Sequence, residues 1–351
     1  MRTIASIAQE HFGVSTYEEA FDFVLNATQE REPPRTTPFH LSVPYVADNC
    51  PELPSEDEIR KAKTENVLHN RMSMNEAFRV RDQVYKIGAE PDIIEEAENL
   101  IYLAENSRVR VPKVYRVYPG RPGVPFPEAT LVMEYIPGFQ LTVNDWMGFT
   151  EEERTTLCAR VREQFRLLRS IPSEGYYGRV HRQAFGCSMG MFRTNYKQSC
   201  GPYKTYEEFT SAVIRAAEAN ALVSRLQEGG FLSEDQDTVV SEYKQALEIS
   251  TDRKPVFTHV DPALKNIIFR RIPTTQGHPP DWEVTLIDWA GAGWFPPWVQ
   301  GASFRQRFAF TDATLKFYAD ITKEFEDKAY GEMECGADLV RLSSKAWNRI
   351  Y

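Results

Sequence analysis

The chain has 351 residues, 42% of them hydrophobic and 12% aromatic, enough apolar material for one large or two closely packed domains. Its net charge of -9 argues against a nucleic-acid partner, which needs a basic face, and would favour a cationic substrate. No apolar stretch is long enough to span a membrane, and the five scattered cysteines include no CxxC pair, so a reducing, cytoplasmic setting without membrane contact is expected.

Residues 1–30 read as helical, with Ser15 and Glu18 as a capping box. Proline punctuates 32–54 and implies an extended connector, and Ser55 with Glu58 caps a helix running towards His69. Ala77–Arg81 and Gln83–Ile87 alternate as two short strands. Pro91 then opens a helix through Asn106, its stripe set by Ile94, Ala97, Leu100, Ile101 and Ala104. Strands follow at Lys113–Val117 and Ala129–Tyr135, and Ile136-Pro137-Gly138 breaks the second. From Thr150 the chain turns mainly helical: Thr150 with Glu153 caps a helix striped by Leu157, Val161, Phe165 and Leu168, and Thr205 with Glu208 and Ser233 with Gln236 cap two more.

FTHVDPALKNIIF carries His259, Asp261 and Asn266 as H-x-D-x-x-x-x-N between two β-rich segments, and VTLIDWAGAGW ends a strand at Asp288, 22 positions beyond Asn266. Phosphoryl transfer requires a carboxylate to take the proton of the attacking hydroxyl or amine, and hard oxygen ligands to hold magnesium against the phosphates. One loop can present the aspartate and the asparagine, and a second strand-end aspartate completes the metal site. Lys86, in the second strand, is placed to meet the α- and β-phosphates of a nucleotide.

HVDPALKN followed by LIDWAGAGWFPP resembles the aminoglycoside phosphotransferase family, related to choline kinases and more distantly to protein kinases, and the layout looks like its fungal members. The resemblance implies an α+β, protein-kinase-like fold of two lobes, a small antiparallel-sheet N-lobe and a mainly helical C-lobe. It implies Asp261 as catalytic base, Asn266 and Asp288 as ligands of Mg2+, and His259 as a support for the loop. Matching the family's lysine-bracing glutamate selects Glu96 as the partner of Lys86, with Glu95 and Glu98 left to a solvated face. LVMEYIPG resembles the hinge, where adenine would bond to backbone near Glu134 and Ile136. The domain reading that follows is an extension over 1–55, an N-lobe over 56–135 and a C-lobe over 136–351. The resemblance implies ATP as co-substrate, with GTP as the alternative, and a small-molecule acceptor. The acid-rich 324–338 segment reads first as a solvated helix face, and second as a surface suited to a cationic acceptor.

Three departures from the family pattern stand out. Residues 70–82, where the phosphate-covering loop belongs, contain no glycine, so Ser73 and Asn75 would have to supply its hydrogen bonds. Val260 replaces a glycine, Ala290 replaces an acid, and Trp298-Val299-Gln300 stands where Trp-Glu-Tyr is common. These keep open a second reading, a pseudokinase that binds nucleotide or partners without turnover. A protein kinase fits less well, because Asp288 is followed by Trp and Ala and no A-P-E follows. A purely helical interaction module leaves the motif residues without a role.

Overall fold

The computed structural model describes residues 38–69, 75–124, 127–186, 200–216, 252–274 and 281–307, with shorter pieces within 6–22 and 244–250. Ser73, the Ser233–Gln236 cap and the acid-rich 324–338 segment lie outside the described residues.

The N-terminal sheet has six antiparallel strands in the order β1-β5-β6-β4-β3-β2. In chain order these are β1 (Tyr45–Val46), β2 (Val67–His69), β3 (Glu76–Val80), β4 (Gln83–Ala89), β5 (Val114–Tyr118) and β6 (Glu128–Glu134). Period-two alternation puts Phe78, Val80, Tyr85 and Val132 on one face, where they close over Ala62 of helix α1 (Glu56–Glu65). The Ser55–Glu58 capping box forms, but α1 stops at Glu65 instead of continuing towards His69. Asn66 leaves helical geometry, its carbonyl accepts from Arg79 N–H at 3.0 Å, and Val67 pairs with Phe78. The proline-rich connector also does more than connect, since β1 pairs with β5 at the sheet edge. Near the N-terminus the reciprocal cap joins Thr16 and Glu19, one residue beyond the expected pair.

The opposite face of the sheet carries helix α2 (Glu90–Asn106), with Pro91 in its first turn. Ile93, Ile94, Ala97, Leu100 and Leu103 are almost wholly buried, whereas Ala104, expected on that stripe, is exposed. Glu95 and Glu98 are at 3% and 2% exposure, which overturns the solvated face expected for them. The reason is that α2 is covered twice, by the sheet and by C-terminal segments reaching over its other side.

After the hinge, β7 (Phe139–Gln140), β9 (Ile267–Ile272) and β10 (Asp281–Leu286) form a three-stranded sheet, and β8 (Val256–Thr258) pairs with β11 (Gly293–Phe295). Helix α3 (Val143–Gly148) leads to α4 (Glu151–Arg169), capped by Thr150 as the S/T-x-x-E pattern requires. Leu157, Val161, Phe165 and Leu168 are fully buried, and α4 packs on β8 and β10. Thr205 caps the helical stretch 206–216, and α5 (Trp298–Arg307) follows β11. Among the described residues no helix is long and apolar enough to cross a membrane.

Candidate active site

The motif loop 259–266 leaves β8 and enters β9, so both its ends are tied to sheets. His259 is 2% exposed, edge-on to Trp289 at 4.4 Å. Its Nδ1 accepts from Asp261 N–H at 3.2 Å, so Nε2 carries the proton and donates to the Ile287 carbonyl at 3.0 Å. Gln300 of α5 grips the His259 backbone from both sides: its Oε1 accepts from His259 N–H at 3.1 Å and its Nε2 donates to His259 O at 2.9 Å. Asn266, which lines the cleft between the lobes, donates from Nδ2 to Asp261 O at 2.9 Å. Ile287 N–H to Asn266 O, 2.9 Å, stitches this loop to the one carrying Asp288.

Burial pushes the His259 imidazole below its usual range, with the bond to Ile287 opposing. A neutral folded histidine against one that protonates near 6.5 when unfolded means that the unfolded state binds more protons as pH falls. Its stabilising contribution is therefore complete above about pH 6.5 and is lost below, by at most about 1.4 kcal/mol per pH unit. Unfolding midpoints of the wild type and His259→Gln, measured from pH 8 to pH 5, should converge as pH falls.

Asp288 stands two residues beyond β10 with φ of 65°, a left-handed conformation that aspartate tolerates better than most residues. Lys86 of β4 donates to Asp288 Oδ1 at 2.7 Å and to Glu96 Oε2 of α2 at 2.6 Å. Burial works against the Lys86 charge, but the two carboxylates outweigh it and hold the ammonium well above its ordinary range. For Asp288, too, burial is the largest influence and raises it. The Lys86 ammonium prevails and keeps the carboxyl ionised. Complete burial pushes Glu96 up, with Lys86 opposing. Asn99, one turn along α2, donates to the carbonyls of Trp289 and Ala292 at 2.8 and 3.2 Å, docking the helix onto the Asp288 loop.

A cleft of about 530 Å³ lies between the lobes. Lys86, Glu96, Glu134, Ile136, Asn266 and Asp288 all line it. Asp261 does not line it, but is tied to Asn266 through its carbonyl. The apolar part is made by Ala77, Val84, Met133, Ile268 and Ile287. At the hinge, Glu134 N–H is taken by Lys113 O at 2.8 Å and Tyr135 N–H by Asp82 O at 3.0 Å, whereas no bond engages the Ile136 amide among the described residues. Gly138 lets the hinge touch β9: a Cβ there would stand 2.5 Å from the Phe269 carbonyl.

Several site residues escaped the sequence reading. Gly88 in β4 makes room for Asn75, whose Oδ1 would lie 2.1 Å from a Cβ at that position. A glycine inside a strand is the signal for such a close approach. Lys265, whose carbonyl accepts from Gln140 Nε2 at 2.6 Å, lines the cleft beside Asn266. Gln300, seen in the sequence only as a departure, turns out to hold the His259 backbone.

For magnesium the residues present fit: an ionised carboxylate at Asp288 and the side-chain amide of Asn266, both lining the cleft, would offer hard oxygen donors. Among the described residues no cluster of three His, Cys, Asp or Glu side chains is arranged around a metal position. Magnesium, which keeps waters and uses phosphate oxygens, does not require one.

The family model described as APH, phosphotransferase enzyme family, matches residues 75–334. Among solved structures, the streptomycin-ATP-APH(2")-IIa ternary complex is similar at 14% identity and a TM-score of 0.52, covering 86% of this chain and 91% of that one. A thermostable mutant of aminoglycoside phosphotransferase APH(4)-Ia gives 14% identity and a TM-score of 0.52, over 81% and 86% of the two chains. ADP-bound aminoglycoside phosphotransferase APH(2'')-Ib gives 15% identity and 0.51, over 84% and 87%. At such identities the likeness is one of fold, and it is the two-lobed, kinase-like fold expected. No curated protein matches the chain by sequence.

Proposed function

Since the chain belongs to the phosphotransferase enzyme family, we propose that it moves the γ-phosphoryl group of a magnesium-bound nucleotide to a hydroxyl or amine of a small acceptor. The observation that carries this is convergence. Lys86 and Asp288, 202 positions apart, meet with Glu96 and Asn266 on the wall of one cleft that also offers apolar surface from Ala77, Val84, Met133 and Ile268.

In this reading the base ring packs between Ala77, Val84, Met133 and Ile268, and bonds to hinge backbone at Glu134 and Ile136. Lys86 is braced by Glu96 and turns from Asp288 to the α- and β-phosphates. Asn75, with Ser73 beside it in the chain, covers the phosphates. Asn266 and Asp288 hold magnesium, which when bound supplies positive charge against the phosphate oxygens. Asp261 orients the acceptor and takes its proton. The His259 bonds to Asp261 N–H and Ile287 keep the two loops at fixed separation, so that little reorganisation is needed during transfer. Streptomycin is the ligand of one similar structure, and the net charge of -9 suits a cationic acceptor of that general kind.

The test is the unfolding midpoint with Mg-ATP and with Mg-GTP, for the wild type and Asp288→Ala. At a hundredfold excess over the dissociation constant, binding adds about 2.7 kcal/mol, a rise of a few degrees. A magnesium-dependent rise that vanishes in the variant is expected, and no rise with either nucleotide would refute the nucleotide site. The glycine-free 70–82 segment favours one rival, a protein that binds nucleotide without turnover. A full midpoint rise with no ADP release, across hydroxyl and amine acceptors, would select that rival.

A further inference from the structure

Helix α2 carries three acids within one turn, Glu95, Glu96 and Glu98, and only one of them meets Lys86. At about 100° per residue, the rotation of α2 about its axis decides which acid that is. Glu95 and Glu98, three positions apart, share a neighbouring face, and both point at a single guanidinium. Arg179, wholly buried in the C-terminal lobe, reaches Glu98 Oε2 at 2.5 Å and Glu95 Oε1 at 3.2 Å. Gln183 Nε2 adds a bond to Glu98 Oε2 at 2.8 Å. The other oxygen of Glu98 accepts the backbone N–H groups of His40 and Leu41 at 2.6 and 2.8 Å, so the segment ahead of β1 closes the same cluster. The Arg179 carbonyl is itself held by Tyr176 OH at 2.7 Å.

A buried ion cluster of this kind contributes little net stability, because desolvation offsets attraction; its best-attested use is to fix register. Here the register in question is that of the helix supplying Glu96. We propose that Arg179 is a positioning residue for phosphoryl transfer: by clamping Glu95 and Glu98 it fixes the rotation of α2, so that Glu96 and no other acid braces Lys86. The proposal rests on the nucleotide-site reading above. Arg179 acts from outside the cleft, through Glu96.

A double-mutant cycle tests this, with Mg-ATP affinity and ADP release as readouts. Wild type, Glu96→Gln, Arg179→Met and the double variant are compared. Each single change is expected to weaken Mg-ATP binding about tenfold, and the double variant no more than either single, because both remove one brace on Lys86. Effects that multiply to about a hundredfold would mean independent roles and would overturn the proposal. Removing Arg179 leaves two buried carboxylates unmatched, so the same cycle is run with Glu98→Gln, which keeps size and shape. If Arg179→Met does not fold, that cycle decides by the same criterion. A wild type that fails to bind Mg-ATP would refute the nucleotide site itself, a result distinct from multiplicative effects in a protein that binds.

Discussion

Asp261→Asn is expected to lower phosphoryl transfer by about 10²- to 10⁴-fold, the usual worth of a positioned general base, while leaving Mg-ATP binding nearly unchanged. The separation follows from where the residue sits. The loop conformation is held by the backbone of Asp261, whose N–H donates to His259 and whose carbonyl accepts from Asn266. An isosteric amide therefore leaves the loop in place and removes only the proton acceptor. The cleft wall is also untouched, since Asp261 does not line it. Turnover is read as ADP release with water or an identified acceptor, and affinity as the midpoint rise with Mg-ATP. Unchanged turnover would assign the base elsewhere, and lost binding would place Asp261 in the nucleotide site instead.

Much of this arrangement was legible in the chain, for a physical reason. The elements that carry the proposed site are local: a strand alternates, a capping box announces α1 or α4, and one short loop holds both Asp261 and Asn266. Asp288 was legible only through its place 22 positions beyond Asn266, because an aspartate after a strand is by itself an ordinary turn residue. What could not be read was anything set by packing between distant segments. Glu95 and Glu98 look like a solvated face until Arg179, 81 positions beyond Glu98, is brought against them. The edge strand at Tyr45–Val46 has no periodicity of its own and exists because β5 offers unpaired backbone. Helix α1 ended early because Val67 found Phe78 as a partner, which local propensity could not anticipate. Choosing Glu96 over its neighbours likewise needed the family's spacing, because helical geometry narrows the choice without making it.

Lys86→Met should produce the largest combined effect, because one ammonium serves stability and chemistry together. Glu96 is 1% exposed, and Lys86 Nζ at 2.6 Å is its counter-charge. Breaking one side of such a buried pair costs about 3–5 kcal/mol. Withdrawing the charge from the phosphates should lower turnover by about 10²- to 10³-fold as well. The pH dependence separates this account from simple loss of packing. Burial already raises Glu96, and without Lys86 only the Trp289 backbone N–H is left to oppose it, while Asp288 adds to the rise. A carboxyl raised above its unfolded value binds a proton in the folded state first, so its neutral form is favoured at low pH and the penalty grows as pH rises through the folded value. The stability gap between wild type and Lys86→Met, read by denaturant unfolding, should therefore narrow from pH 8 towards pH 5. Adding Glu96→Gln should recover part of the lost stability at pH 8 without restoring turnover, since the amide needs no counter-charge but offers the phosphates none. A gap independent of pH, or a double variant no more stable than Lys86→Met, would mean that the lysine stem, not its charge, holds the site together.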